Sequence, residues 1–101
     1  MKIKYLAIAA LLATSQAQAL PLEACIPIED LAGTIMQSRH DGQLMSFWYG
    51  FAETQSEDMR PIIISLADYA YSLGEYRSDE YKRHQLISFK NEVFARCMKK
   101  K

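Results

Sequence analysis

Cysteine and histidine are each present only twice in 101 residues, and that scarcity removes most metal and redox chemistry. His40 and His84 lie far apart. There is no H-x-x-x-H or H-E-x-x-H spacing and no cysteine cluster, so no zinc site is spelled out. The serines have no G-x-S-x-G or S-x-x-K context, which leaves no nucleophile motif. Three prolines and four glycines mark turns but form no linker, repeat or low-complexity tract. Net charge is absent too, with twelve basic and twelve acidic side chains. The balance gives no electrostatic case for nucleic acid or for an anionic membrane surface. No apolar run approaches the roughly 20 residues that span a bilayer.

The N-terminus carries the clearest signal. Lys2 and Lys4 precede an apolar stretch, Tyr5 to Ala13, and Ala17-Gln18-Ala19 supplies small residues at the −3 and −1 positions of a cleavage site. Residues 1–19 are expected to be a cleaved signal peptide and 20–101 a single domain, periplasmic or secreted, without stable membrane insertion. Removing the leader leaves 82 residues, ten basic and twelve acidic, a formal charge of −2. The closing Lys99-Lys100-Lys101 suits a solvated helix end.

Cys25 and Cys97 bracket this domain. In an exported chain such a pair is expected to form a disulfide. Closing so long a loop is worth about 4 kcal/mol in the chain-entropy model, comparable to the whole stability of a small core. Two alternatives are weaker. Leu22-Glu23-Ala24-Cys25 is a poor lipidation signal because Glu23 is charged, and the spacing is not the C-x-x-C of a redox pair.

The mature chain has the spacing of an all-α fold, a small four-helix (or three plus one short) bundle closed by the disulfide. Leu20 to Pro27 is expected to be irregular, because Pro21 and Pro27 restrict the residues before them. A first helix then runs from Ile28, with Leu31, Ala32, Ile35 and Met36 as its apolar stripe. Gly33 within it allows another helix to approach, and Arg39-His40-Asp41-Gly42 is a stop signal. A second helix starts between Gln43 and Ser46, with Leu44, Phe47, Trp48, Phe51 and Ala52 on one buried face. Pro61 fits the first turn of a third helix, with Asp58 as its expected N-cap. Met59, Ile62, Ile63, Leu66, Ala67, Ala70 and Leu73 form its stripe. Ser78-Asp79-Glu80 opens the last helix, with Leu86, Phe89, Val93, Phe94 and Cys97 inside.

The pattern Leu31-Ala32-x-x-Ile35-Met36-x-x-Arg39, then Gly42, Met45-Ser46, Ala70-Tyr71 and Phe89, Val93 and Cys97, resembles one found in small exported proteins of Gram-negative bacteria and their phages. The resemblance covers most of the mature chain. It implies a secreted helical domain and transfers no catalytic or binding residue.

Function is expected to lie on the surface. An 82-residue bundle has little room for a deep cleft, so no enzymatic activity and no cofactor are expected. Tyr69, Tyr71 and Tyr76 fall off the main stripe of the third helix or beyond its end. Tyrosine offers large contact area with few rotamers to freeze. Asp68 to Arg77, with Asp68, Tyr69, Tyr71, Tyr76 and Arg77, is therefore the candidate partner-binding segment. The alternative is that these rings lie over a small core. The expected role is occlusion of another envelope protein, as an enzyme inhibitor, immunity protein or phage exclusion factor. The alternatives are a periplasmic stress chaperone and a cell-wall hydrolase.

Overall fold

The computed structural model describes residues 20–99; the leader assigned to 1–19 lies outside the described residues. Among them, all regular structure is helical: α1 (Leu22–His40), α2 (Met45–Glu53), α3 (Arg60–Ser72) and α4 (Asp79–Met98).

Helix α1 begins six residues earlier than its apolar spacing suggests, and Pro27 lies inside it. The expectation of an irregular Leu20–Pro27 is thus corrected. Pro21 takes the N-cap position, and its carbonyl accepts from the N–H groups of Ala24 (3.0 Å) and Cys25 (3.2 Å). At Pro27 the ring removes the bond to the Glu23 carbonyl, a defect that costs about 3 kcal/mol in an unsupported helix. Here the turn is supported from outside. Cys25 is bonded to Cys97, with Cα atoms 5.7 Å apart across 72 positions of sequence. The Leu20 N–H donates to the Cys97 carbonyl at 3.2 Å, and Ile28 is buried one residue past the proline. Tertiary anchoring therefore overrides local preference.

The other boundaries follow local chemistry. Gly42 has φ of 91°. Its N–H reaches the Arg39 carbonyl and that of Gln43 reaches the Ser38 carbonyl, both at 3.0 Å, a Schellman closure that needs the left-handed residue. Pro61 sits in the first turn of α3, as expected, but Met59 rather than Asp58 takes the N-cap position and no side chain caps it. The Ser56 carbonyl instead receives the N–H groups of Met59 and Arg60, so a tight turn does the work of a cap. Ser78 Oγ accepts from the Tyr81 N–H at 3.1 Å and starts α4.

Two arginines close helix C-termini that lack Schellman turns. Arg39, at the end of α1, donates from Nη1 to the Ala70 carbonyl at 2.6 Å. Its guanidinium lies over the Tyr71 ring and 3.9 Å from Glu75. Arg60 donates from Nε to the Ala52 carbonyl and from Nη2 to that of Glu53, both at 3.3 Å. Each cation thus meets the negative end of a helix dipole and satisfies an orphan carbonyl.

Helix α1 packs along α4 and also on α3, and α2 packs on α3. The core lies between α1, α3 and α4: Ile35 and Met36, Ile62, Ile63 and Leu66, and Phe89 and Val93 are all buried. No buried polar or charged residue interrupts it. At Gly33, an added Cβ would fall 2.8 Å from Cδ of Lys90. What crosses this glycine is a lysine stem from α4.

Two outcomes are expected. Cys25→Ala with Cys97→Ala lowers stability by roughly 2–5 kcal/mol, and the intact protein weighs about 2 Da less than its reduced form; free thiols in freshly purified material would contradict this. Leu66→Ala, at a fully buried site, costs roughly 2–5 kcal/mol in chemical denaturation; an unchanged midpoint would remove Leu66 from the centre of the core.

Candidate functional site

Helix α2 is apolar on almost every side. At 100° per residue, Trp48 and Ala52 point toward α3, and they are buried. Leu44, Phe47 and Phe51 were expected to share that face. The structure corrects this: they are 70%, 46% and 36% exposed. Phe47 and Phe51 lie along one flank, with Leu44 before them at the extended N-cap, while Met45 and Tyr49, also exposed, lie along the other. Ser46 and Gly50 share the exposed crest between the flanks. Every residue from Gln43 to Ala52 is uncharged. A helix with one packing neighbour has only a narrow arc to bury, and this one carries more apolar side chains than that arc holds.

The exposed rings are held by each other. Phe47 meets Trp48 edge-on at 5.1 Å between centroids, and Phe51 meets it likewise at 5.6 Å. Phe47 and Phe51 lie nearly parallel at 6.5 Å. Geometries of this kind add about 0.5–1.5 kcal/mol per pair, so the exposed rings steady one another. Tyr49 O–H donates to Asp68 Oδ1 at 2.6 Å and fastens α2 to α3. That bond, with the Asp68 charge, raises the Tyr49 pKa above the ordinary tyrosine value.

Within Asp68–Arg77 the structure separates the tyrosines by environment. Tyr69 is partly buried, its ring 5.3 Å from Phe89 and beneath the Arg96 guanidinium. Its hydroxyl donates to Glu92, which also receives Arg96 at 2.9 Å. Burial first, and then the Glu92 bond and charge, raise the Tyr69 pKa, while Arg96 opposes them. Tyr71 is also partly buried, under Arg39, and its hydroxyl donates to the Gln43 carbonyl at 2.6 Å. Tyr76 is half-exposed and leans on exposed Tyr81 at 5.8 Å. Asp68 and Arg77 are exposed. The five residues thus form no single continuous patch. Two of the rings are tied into the fold at both ends, and Tyr76 stands outside it.

Among the described residues no group of three or more His, Cys, Asp or Glu side chains could hold a metal ion. His40 Nε2 is 2.8 Å from Gln85 Oε1, and Gln85 Nε2 donates to the Gly74 carbonyl at 2.7 Å, so this histidine joins α1 to α4. A depression between α1 and α4 is open and lined by Gly33, Gln37, Asp41, Leu86 and Lys90 among others. It converges on no buried polar group. No described helix is long and apolar enough to cross a membrane. Comparison with known families, characterised proteins and solved structures returned no match.

The exposed apolar surface that periodicity assigned to the core is the flank Leu44, Phe47, Phe51. The available signal was excess: in Phe47-Trp48-Tyr49-Gly50-Phe51, aromatic residues occupy more of the helical circumference than one neighbour covers.

Tyr69 yields a pH prediction. Its folded-state pKa is raised, so its contribution to stability is complete below the unfolded value of about 10 and is lost as pH rises through the folded one. Denaturation midpoints measured from pH 8 to 11.5 should fall more steeply for the native protein than for Tyr69→Phe. Parallel curves would show that the Tyr69–Glu92 bond does not contribute to stability in this way.

Proposed function

We propose that this chain is an exported protein of the cell envelope, periplasmic or secreted, that binds a protein partner and blocks it by occupation. The observation that carries the proposal is the exposed aromatic flank of α2. Soluble monomers seldom leave a contiguous apolar patch of this kind uncovered without using it. Aromatic anchors at the centre of a patch are the side chains that dominate protein–protein affinity.

Three further features support occupation as the mode of action. The domain is small and closed by a disulfide, which suits an oxidising compartment. Its core is built from hydrophobic residues, which gives the presented face a firm base. The exposed pair Tyr76 and Tyr81 offers a second, smaller contact. An inhibitor, an immunity protein and a phage exclusion factor share this physical requirement: a rigid face presented to one target.

The test uses the mature oxidised protein as bait for envelope extract, with the retained protein identified by mass spectrometry and then assayed with and without added domain. The activity of the retained protein is expected to fall in proportion to the domain added. Phe47→Ala is expected to weaken binding by about 30-fold, equivalent to about 2 kcal/mol, and to lower the melting temperature by roughly 5–15 °C through the loss of its contacts with Trp48 and Phe51. Retention with undiminished target activity would end the blocking proposal. Loss of stability without loss of affinity would return Phe47 to a folding role.

A further inference from the structure

A glycine in mid-helix is destabilising relative to alanine, and Gly33 sits in the middle of α1. Its backbone does not require the exception, since the positive φ among the glycines belongs to Gly42. What it accommodates is one side chain. A Cβ at this position would fall 2.8 Å from Cδ, 3.2 Å from Cε and 3.3 Å from Cγ of Lys90. No backbone atom of α4 is among these nearest neighbours, so the notch serves the lysine stem rather than the approach of two helices. A flexible stem could swing into solvent at little cost to the fold. The glycine therefore fixes the course of Lys90 and keeps its ammonium close to position 33.

Lys90 lines the open cavity between α1 and α4, about 650 Å³ in volume. Among the described residues no ion pair joins it to a carboxylate. The cavity lining has one other charged side chain, Asp41. Asp41 stands at the C-terminal end of α1, where the helix dipole also favours a cation. From Gly33 to Asp41 the helix rises about 12 Å. Thr34, Gln37 and Ser38 line the stretch between them with hydroxyl and amide groups. Thr34 Oγ1 donates to the Asp30 carbonyl at 3.1 Å, which leaves its lone pairs to accept. Gln37 Nε2 donates to Asp41 Oδ1 at 3.2 Å and steadies that carboxylate.

We infer that this cavity binds short peptides with free ends, about three residues long, with the peptide carboxylate at Lys90 and the peptide amino group at Asp41. Charge and length select this class. Opposite charges at the two ends match a zwitterion better than a simple anion or cation. An extended tripeptide spans about 10–11 Å, close to the separation of the two ends, whereas a dipeptide spans about 7 Å and meets one end only. The hydroxyl and amide groups between the charges match the donors and acceptors of a peptide backbone. The charged groups are not buried, and exposed ion pairs contribute little each, so binding is weak and reversible. The inference goes beyond the blocking role and does not depend on it, because no residue of α2 lines this cavity.

The experiment follows the backbone amide resonances of the isotope-labelled, disulfide-intact protein as trialanine is added in low-salt buffer, where exposed charges are least screened. Resonances of residues 33–43 are expected to shift and to saturate, with a Kd of about 1 mM. N-acetyl-trialanine, trialanine amide and dialanine should each bind more weakly by about threefold or more. Lys90→Met keeps a stem over Gly33 and removes the charge. It should weaken trialanine by a similar factor and make the free and amidated peptides bind equally, the signature of a direct pair. Asp41→Asn should do the same for the free and N-acetylated peptides. Gly33→Ala should weaken trialanine while the melting temperature holds or rises. Undiminished binding by Gly33→Ala overturns the positioning of Lys90, and a lower melting temperature with undiminished binding returns the glycine to packing. Equal binding of free and blocked peptides by the native protein overturns a site that reads both ends. Sodium acetate producing the same shifts at the same concentration reduces the site to Lys90 and an anion, and overturns the peptide. Shifts that do not saturate tenfold above the expected Kd remove the site. None of these outcomes bears on the blocking role, which is tested at Phe47.

Discussion

The bond between Cys25 and Cys97 joins the first turns of α1 to the last turn of α4, and the rest of the architecture is arranged around that junction. It brings together two long helices whose own amphipathic character is modest, and it holds a helical turn through Pro27 where local preference opposes one. The bonded half-cystines are themselves buried, so the cross-link is part of the core as well as a constraint on the unfolded chain. With α1 and α4 fixed side by side, Ile35, Met36, Phe89 and Val93 form a surface onto which the stripe of α3 closes.

Helix α3 is the second support. It packs against both α1 and α2; Arg39 of α1 bonds to its C-terminal end, and its own Arg60 bonds from its first turn to the end of α2. These contacts are charge-assisted bonds to helix-end carbonyls, stronger than neutral ones, and Arg39 makes its bond largely shielded from water. They spare the short helices from needing good local stop signals. Helix α3 buries Ile62, Ile63, Leu66, Ala67 and Ala70.

Helix α2 pays for its position at the edge. It buries Trp48 and Ala52 and leaves two apolar flanks in solvent. Stability alone would favour polar residues there. The rings there pack on one another instead. The Tyr49–Asp68 bond holds this surface to the body of the fold.

How much of this was legible in the sequence depends on whether the cause was local. The Ser78 cap, the Gly42 stop, Pro61 in the first turn of α3 and the stripe through Leu66 are determined by neighbouring residues along one helix, and the structure has them. The pairing of Cys25 with Cys97 was legible because two cysteines in an exported chain leave one intramolecular choice. The start of α1 was not, since the sequence around Pro21 and Pro27 disfavours a helix and only the contact with α4 reverses that preference. The partners of Tyr69 and Tyr71, Glu92 and the Gln43 carbonyl, lie 23 and 28 positions away, beyond the reach of any spacing rule. The exposure of Leu44, Phe47 and Phe51 was decided in the same way. Periodicity states which side chains share a face of a helix; whether that face is covered depends on how many helices stand beside it, and α2 has one.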